Sequence, residues 1–443
     1  MVEQLVTPSL ALDNSSNLMS VRGVHETNRE RGINLLIQKK DGGFRLKVQP
    51  SPQLESAFPD ELRESDLPLT CGQLWGKVQR CRAAWRTYIV DARRGNDYVF
   101  QKYWDFASDP AMLANSLGQL ALAGSELFQD IFFPSQSVAD ADTYRVLTAT
   151  GEALASMARS DGLWIRVTSN EFYAPWNLLY TANLTDKHAG SDATPEGFWG
   201  YSHLVEHVPE RATRGTDLSI EQPIRAMLCL DDVIDSELQV QCNALVEAEL
   251  KNYDTAALIL NRNTTSQQMM RSLGVTPLNQ HVMYFCCHAS LDGDETALSI
   301  DNAYLALTDR TYRIDSSRLN NWLGRNRFTN GPVIFLNACQ SGQMNSLFYT
   351  GFVPTFMDRQ ASALIGTQSE MPAVFAGQFA RAFFKRFFQG GSNNVVGQIL
   401  FDLRREFFKK HNNPLGLLYS VYRGADIHLQ TALAASPDNA VRS

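Results

Sequence analysis

Residues 331–342 read Gly-Pro-Val-Ile-Phe-Leu-Asn-Ala-Cys-Gln-Ser-Gly. The unbroken apolar run from Val333 to Leu336, with Gly-Pro in front and Ser-Gly behind, predicts a strand buried on both faces. Such strands belong to parallel sheets covered by helices, so this run sets the fold class as α/β. Cys339 stands at the carboxyl end of the strand, the edge on which open α/β sheets place their ligand crevice. The small residues that follow let the backbone turn around the thiol. About 50 residues upstream is a second run of the same kind, Val282-Met-Tyr-Phe-Cys-Cys-His-Ala-Ser290, which delivers His288 at its end. Two such strands can bring a thiol and an imidazole to one crevice.

A thiol of ordinary pKa is only partly ionised at neutral pH, so a nucleophilic cysteine needs a base beside it. His288 can take the proton from Cys339 and later return it to a leaving amine. The oxyanion formed on attack needs N–H donors, and the backbone groups of Ala289 and Cys339 are the candidates. Small residues at 289, 290, 338, 341 and 342 leave room for a peptide. Taken singly, each residue reads as packing: a cysteine closing a core strand, a histidine satisfied inside it. Their matched settings favour the catalytic reading.

The whole chain has 443 residues and a net charge of −7, which argues against a general nucleic-acid binder. Seven cysteines at irregular spacings, with no Cys-x-x-Cys, predict neither a disulfide frame nor a zinc site. Cys229, Cys286 and Cys287 lie in apolar runs and read as small buried hydrophobes. The N-terminus carries no signal-peptide pattern, and no run of about eighteen apolar residues occurs, so a soluble, cytoplasmic protein is expected. No cofactor is called for, since no glycine-rich phosphate loop joins a strand to a helix.

Residues 1–31 read as a poorly ordered arm, and 32–160 as a leader of strands and helices. Residues 161–430 form the main domain, and 431–443 a tail. In the leader, Ile33–Ile37 and Phe44–Val48 flank a hairpin turn at Asp41-Gly42-Gly43. Helical spacing follows over 72–93, 112–132 and 143–159, without the period of a helical repeat array. Leu163–Thr168 is a strand. Residues 185–222 read as loop, and His203 and His207 there are four apart; surface or packed histidines are favoured over a metal pair. From 223 onward strands and helices alternate: strands at 224–230, 256–260 and 363–366, helices at 236–251, 264–273, 316–323, 373–388 and 395–410, and a hairpin of 297–300 with 303–307. This rhythm predicts a mostly parallel sheet sandwiched by helices. The last two helices carry Arg381, Lys385, Arg386, Arg404, Arg405, Lys409 and Lys410, read as a solvated face in preference to a docking face.

Several stretches together resemble the CHAT subgroup of the caspase/separase clan. They are Tyr284-Phe-Cys-Cys-His-Ala289, Ala303-Tyr-Leu-Ala-Leu307, Leu336-Asn-Ala-Cys-Gln-Ser-Gly342 and Ala363-Leu-Ile-Gly-Thr-Gln368, with Ala174-Pro-Trp-Asn-Leu-Leu179 upstream. The resemblance covers about 160–410 and implies a caspase-like cysteine endopeptidase with His288 as base and Cys339 as nucleophile. It further implies a protein substrate, for example a pore-forming gasdermin in bacterial defence, and any sensor or activator as a separate chain. Two positions depart from the family pattern. Ala289 stands where glycine is usual, and Asn337 stands where metacaspase-like relatives place an aspartate against a basic P1 side chain. The substrate pocket is then expected among Asn337, Gln340, Ser341, Gly342, Thr367, Gln368 and Glu370, with a neutral wall at Asn337. Self-processing after a basic residue is not obvious in the segment 343–360, where Arg359 is the single basic residue. The rival readings are a non-catalytic scaffold of the same family and another thiol chemistry on the same sheet, such as acyl transfer.

Overall fold

A computed structural model describes residues 32–135, 139–157, 162–208, 223–253, 257–291, 303–310, 312–339, 345–391, 393–430 and 432; at 112, 115, 290, 291, 303, 338, 339 and 345–350 only the backbone is described. The strands in chain order are β1 (Gly32–Lys40), β2 (Gly43–Pro50), β3 (Glu64–Leu67), the two-residue pair β4 (Arg93–Arg94) and β5 (Asp97–Tyr98), β6 (Trp164–Thr168), β7 (Leu204–Val208) and β8 (Ile224–Leu230). Then come β9 (Leu258–Asn263), β10 (Val282–Leu291), β11 (Ala303–Ala306), β12 (Ile314–Asp315), β13 (Val333–Cys339), β14 (Ala363–Thr367) and β15 (Tyr419–Val421). The longer helices are α1 (Cys71–Trp85), α2 (Pro110–Phe132), α3 (Ala141–Met157), α4 (Cys242–Leu250), α5 (Ser266–Leu273), α6 (Ser316–Leu323), α7 (Asn345–Asp358), α8 (Ala373–Phe387) and α9 (Val396–His411).

Thirteen strands form one sheet, ordered β12-β11-β10-β13-β14-β15-β7-β6-β1-β2-β3, with β8 and β9 joined to the β11 side of β10. The apolar runs of β8, β10, β13 and β14 are parallel neighbours, buried as their composition requires. Successive residues of each strand face opposite sides. Tyr284, Cys286 and Phe335 therefore join the core under α4, α8 and α9, while Met283, Phe285, Ile334 and Leu336 join the core that includes residues of α5, α6 and α7. Along one edge of β10, β8 pairs as far as Cys286, and β11 takes over from His288. β1–β3 extend the same sheet through the parallel β1–β6 pair.

β15 is the join between two blocks of opposite direction: it is antiparallel to β14 and parallel to β7. Buried polar groups hold it there. Asn177 Nδ2 donates to the Tyr419 carbonyl at 3.1 Å and to Ser420 Oγ at 3.0 Å. Arg404, 2 % exposed, donates to the same Tyr419 carbonyl at 2.5 Å. Beside it, Arg166 of β6 and Glu206 of β7 form a buried ion pair at 3.1 Å, and Glu206 also accepts from the Ala425 N–H at 3.1 Å.

Two expectations change. The loop 185–222 contains β7, whose buried Glu206 and His207 hide it from an apolar pattern. The helix expected over 236–251 begins only at Cys242, after Gln239 takes a left-handed φ of 53° and interrupts the turn. β11 pairs with the extended end of β10, with Leu291 opposite Ala303; the segment 297–300, expected to form a hairpin with 303–307, lies outside the described residues, as does the arm 1–31. Much of the segment 343–360 is the helix α7, with Pro354 inside it.

The glycines of α2 mark a close approach. A Cβ at Gly124 would sit 2.0 Å from the Leu178 carbonyl oxygen, which is backbone and has nowhere to move. Gly124→Ala is expected to destabilise the protein by about 2–3 kcal/mol through overpacking, measured by urea denaturation.

At the opposite end of the sheet from Cys339, His281 ties three strands together. Its Nδ1 accepts from the Arg225 N–H at 2.9 Å, and its carbonyl accepts from the Val333 N–H at 2.9 Å. Burial, reinforced by the charge of Arg225, pushes its pKa from 6.5 down to about 4. A depressed histidine leaves stability intact above 6.5, and stability is lost as pH falls toward 4, because the unfolded chain takes the proton first. The loss expected from this one group by pH 4 is about 3 kcal/mol. His281→Gln is expected to flatten that part of the stability–pH curve; an unchanged slope would remove His281 as its source.

Candidate active site

The parallel block presents the carboxyl ends of β8, β10, β13 and β14 along one edge. There the β10–β13 ladder closes on the pair His288–Cys339. Neighbouring strands lie about 4.8 Å apart, so the two backbones bring these positions side by side. Strand alternation assigns position 288 to the face of Tyr284 and Cys286, and position 339 to that of Phe335 and Asn337, which is one and the same face. His288 is half-buried, and its Nδ1 is shielded from solvent with no hydrogen-bond partner among the described residues. Ala289 is buried in the β10–β11 ladder, opposite Leu305, one residue beyond the last β10–β13 pair.

Asn337 is not a pocket wall. It is fully buried; its amide donates to the Tyr284 hydroxyl at 3.1 Å and to the Ala376 carbonyl at 2.9 Å, and its Oδ1 accepts from the Tyr419 hydroxyl. One pleat repeat below the strand end, the side chain lies under α8 rather than in the crevice. Asn337 thereby locks β10, β13, β15 and α8 together directly beneath the His288–Cys339 level. Gln368 also departs from expectation. Its N–H donates to the Leu418 carbonyl at 2.8 Å, and its buried side chain lines a small cavity with Arg82, Tyr173, His207 and Tyr422. Thr367 is half-buried and closes β14 opposite Tyr419. Gln340, Ser341 and Gly342 lie outside the described residues.

Glu370 does reach a cleft. It lies on the rim of a cleft of about 660 Å³ that is also lined by Arg86, Asp91, Asp97, Lys102 and Glu237. Glu237 belongs to the segment leaving β8, and Glu370 to the segment leaving β14; no residue of β10 or β13 is among its described lining. Within the cleft Arg86 pairs with Asp91 and Lys102 with Asp97. A larger cleft of about 1000 Å³, among α2, α3 and residues 180–187, is lined by none of the residues singled out from the sequence.

Sequence reading passed over Asp231, fully buried at the end of β8. Its N–H donates to the Cys286 carbonyl at 2.8 Å, and its carboxylate accepts from Arg310 at 3.0 Å; Arg310 in turn pairs with Glu237 at 2.8 Å. The signal was available: Asp231-Asp232 directly follows a buried strand. His203 and His207 are structural. His203 Nδ1 accepts from the Leu163 N–H at 3.0 Å, and burial holds the pKa of His207 down near 3. The basic residues of α8 and α9 are largely engaged within the protein. Arg381 pairs with Glu249, Arg386 and Lys410 with Glu406, and Arg405 lies over Tyr201 and Phe401. Arg404 is buried, and burial lowers its pKa to about 9.

No protein-family model matches the sequence, and no curated protein matches it. Among solved structures, the chain is similar to separase of Saccharomyces cerevisiae in two crystal structures of the separase–securin complex. They give 11% identity in each, with TM-scores of 0.45 and 0.41 over 92% of this chain. This chain spans 30% and 31% of the separase chains. At that level the likeness assigns no residue a role. Among the described residues, no helix is long and apolar enough to cross a membrane.

Proposed function

We propose that this protein is a caspase-like cysteine endopeptidase that cuts a specific partner protein. The observation that carries the reading is the register pair His288–Cys339 at the carboxyl end of two adjacent parallel strands, on one face of the sheet. Cys339 attacks the scissile carbonyl while His288 takes its proton. His288 then protonates the leaving amine, and later activates the water that releases the acyl group. Backbone N–H groups at 289 and 339 are assigned to the oxyanion. The cleft bounded by Glu237 and Glu370 is assigned to the substrate chain. The motifs quoted from the sequence favour the CHAT subgroup, and with it a role in bacterial defence or regulated cell death. There the substrate would be a pore-forming gasdermin or another effector encoded nearby, and activation would come from a separate chain.

Co-expression with neighbouring gene products, as wild type and as Cys339→Ala, tests this. A fragment found with wild type and lost in the variant supports the protease and gives its P1 residue. Intact neighbours with both forms, in complexes that still assemble, would favour the non-catalytic scaffold.

A further inference from the structure

Two cysteines outside the proposed dyad approach each other inside the core. Cys242 opens α4 and Cys286 lies on β10; both are fully buried, and their sulfurs are in thiol–thiol contact 3.2 Å apart. A disulfide bond is about 2.05 Å long, so a shift of roughly 1 Å closes it. The surroundings hold the pair in place. A Cβ at Gly377 of α8 would lie 2.6 Å from the Cys242 Cα, which clamps the start of α4 against α8. Asp235 accepts from the N–H groups of Asn243 and Ala244 at 3.0 Å and fixes the same turn. Cys287 and Cys229 belong to the opposite core, as strand alternation requires of Cys287.

We propose that Cys242 and Cys286 are a site of reversible disulfide formation, with a small hydroperoxide as the oxidant. One thiol is oxidised to a sulfenic acid as hydrogen peroxide is reduced to water. The second thiol attacks that sulfur, the S–S bond forms, and a second water leaves. A dithiol reductant reverses the reaction by exchange. The bond ties α4 to β10 two residues before His288 and opposite Asn337, in the layer that supports the strand ends. Full burial restricts access, so peroxide and bulky reductants act slowly.

The test uses the full chain carrying Cys339→Ala, so that oxidation of Cys339 cannot intervene and the outcome does not depend on the proposed protease. The folded protein is exposed to hydrogen peroxide, remaining thiols are alkylated in denaturant, and the unreduced digest is mapped by mass spectrometry. The expected result is a linked peptide pair containing Cys242 and Cys286, lighter by two hydrogens and abolished by dithiothreitol. Adding Cys242→Ala should leave Cys286 alkylatable and remove the rise in melting temperature on oxidation. Full alkylation of both cysteines after peroxide, or linkage of either to a different cysteine, would overturn the proposal.

Discussion

Cys339→Ala and His288→Ala are each expected to lower kcat/KM for the partner protein by about 10⁴-fold or more, and the double variant should be no slower than the worse single one. A nucleophile and its base act as one unit, so removing either removes the covalent route; what remains is substrate binding and backbone polarisation. The measurement is cleavage rate with purified substrate for wild type, both singles and the double. Independent losses that multiply would sink the dyad. Because position 288 is held between two ladders, His288→Ala should leave the urea midpoint within about 0.5 kcal/mol of wild type. A loss of activity could then not be blamed on unfolding.

The largest effect on stability is expected at Asn337. Asn337→Leu leaves the Tyr284 hydroxyl, the Tyr419 hydroxyl and the Ala376 carbonyl without their partner in a fully buried site. Losing these three hydrogen bonds in a buried site is expected to cost about 3–5 kcal/mol in all, read from urea unfolding. Asn337→Asp separates the hydrogen bonds from the charge. It keeps acceptors for both tyrosines but sets an oxygen against the Ala376 carbonyl and buries a carboxylate, whose pKa rises in the folded state. The deficit relative to wild type should then be greatest at neutral pH and shrink as pH falls through that raised pKa. A deficit that does not change with pH would mean that the site admits the charge. The residue read from sequence as a neutral specificity wall is thus expected to govern folding first.

What could be read in the sequence follows from where the free energy of each element resides. β8, β10, β13 and β14 are continuous apolar runs, and their burial on both faces is the whole reason they form, so they were legible. β7 and β15 are held by Arg166–Glu206, Asn177 and Arg404, partners far away in the chain, and nothing in Leu-Val-Glu-His-Val or Tyr-Ser-Val announces them. α7 was obscured by Pro354, which its packing against the second core overrides. At the site, the strand ends carrying His288 and Cys339 were legible because the apolar runs stop there. Their pairing level was not, since register is a relation between strands. Depth was misread at Asn337 and Gln368 for the same reason: distance along the chain from Cys339 does not say which layer a side chain enters.

The seam at β15 has a consequence for how the chain is made. Its three residues are the bridge between the block that bears His288 and Cys339 and the block built on β1, β6 and β7, and they follow every other described strand of the sheet. On the ribosome, which releases the chain from its N-terminal end, both blocks emerge before the residues that join them. Asn337 also waits for Tyr419. A nascent chain stalled before residue 419 therefore holds His288 and Cys339 on a sheet that cannot yet be completed, and joining of the two blocks is expected in a single step once residues 419–421 have emerged.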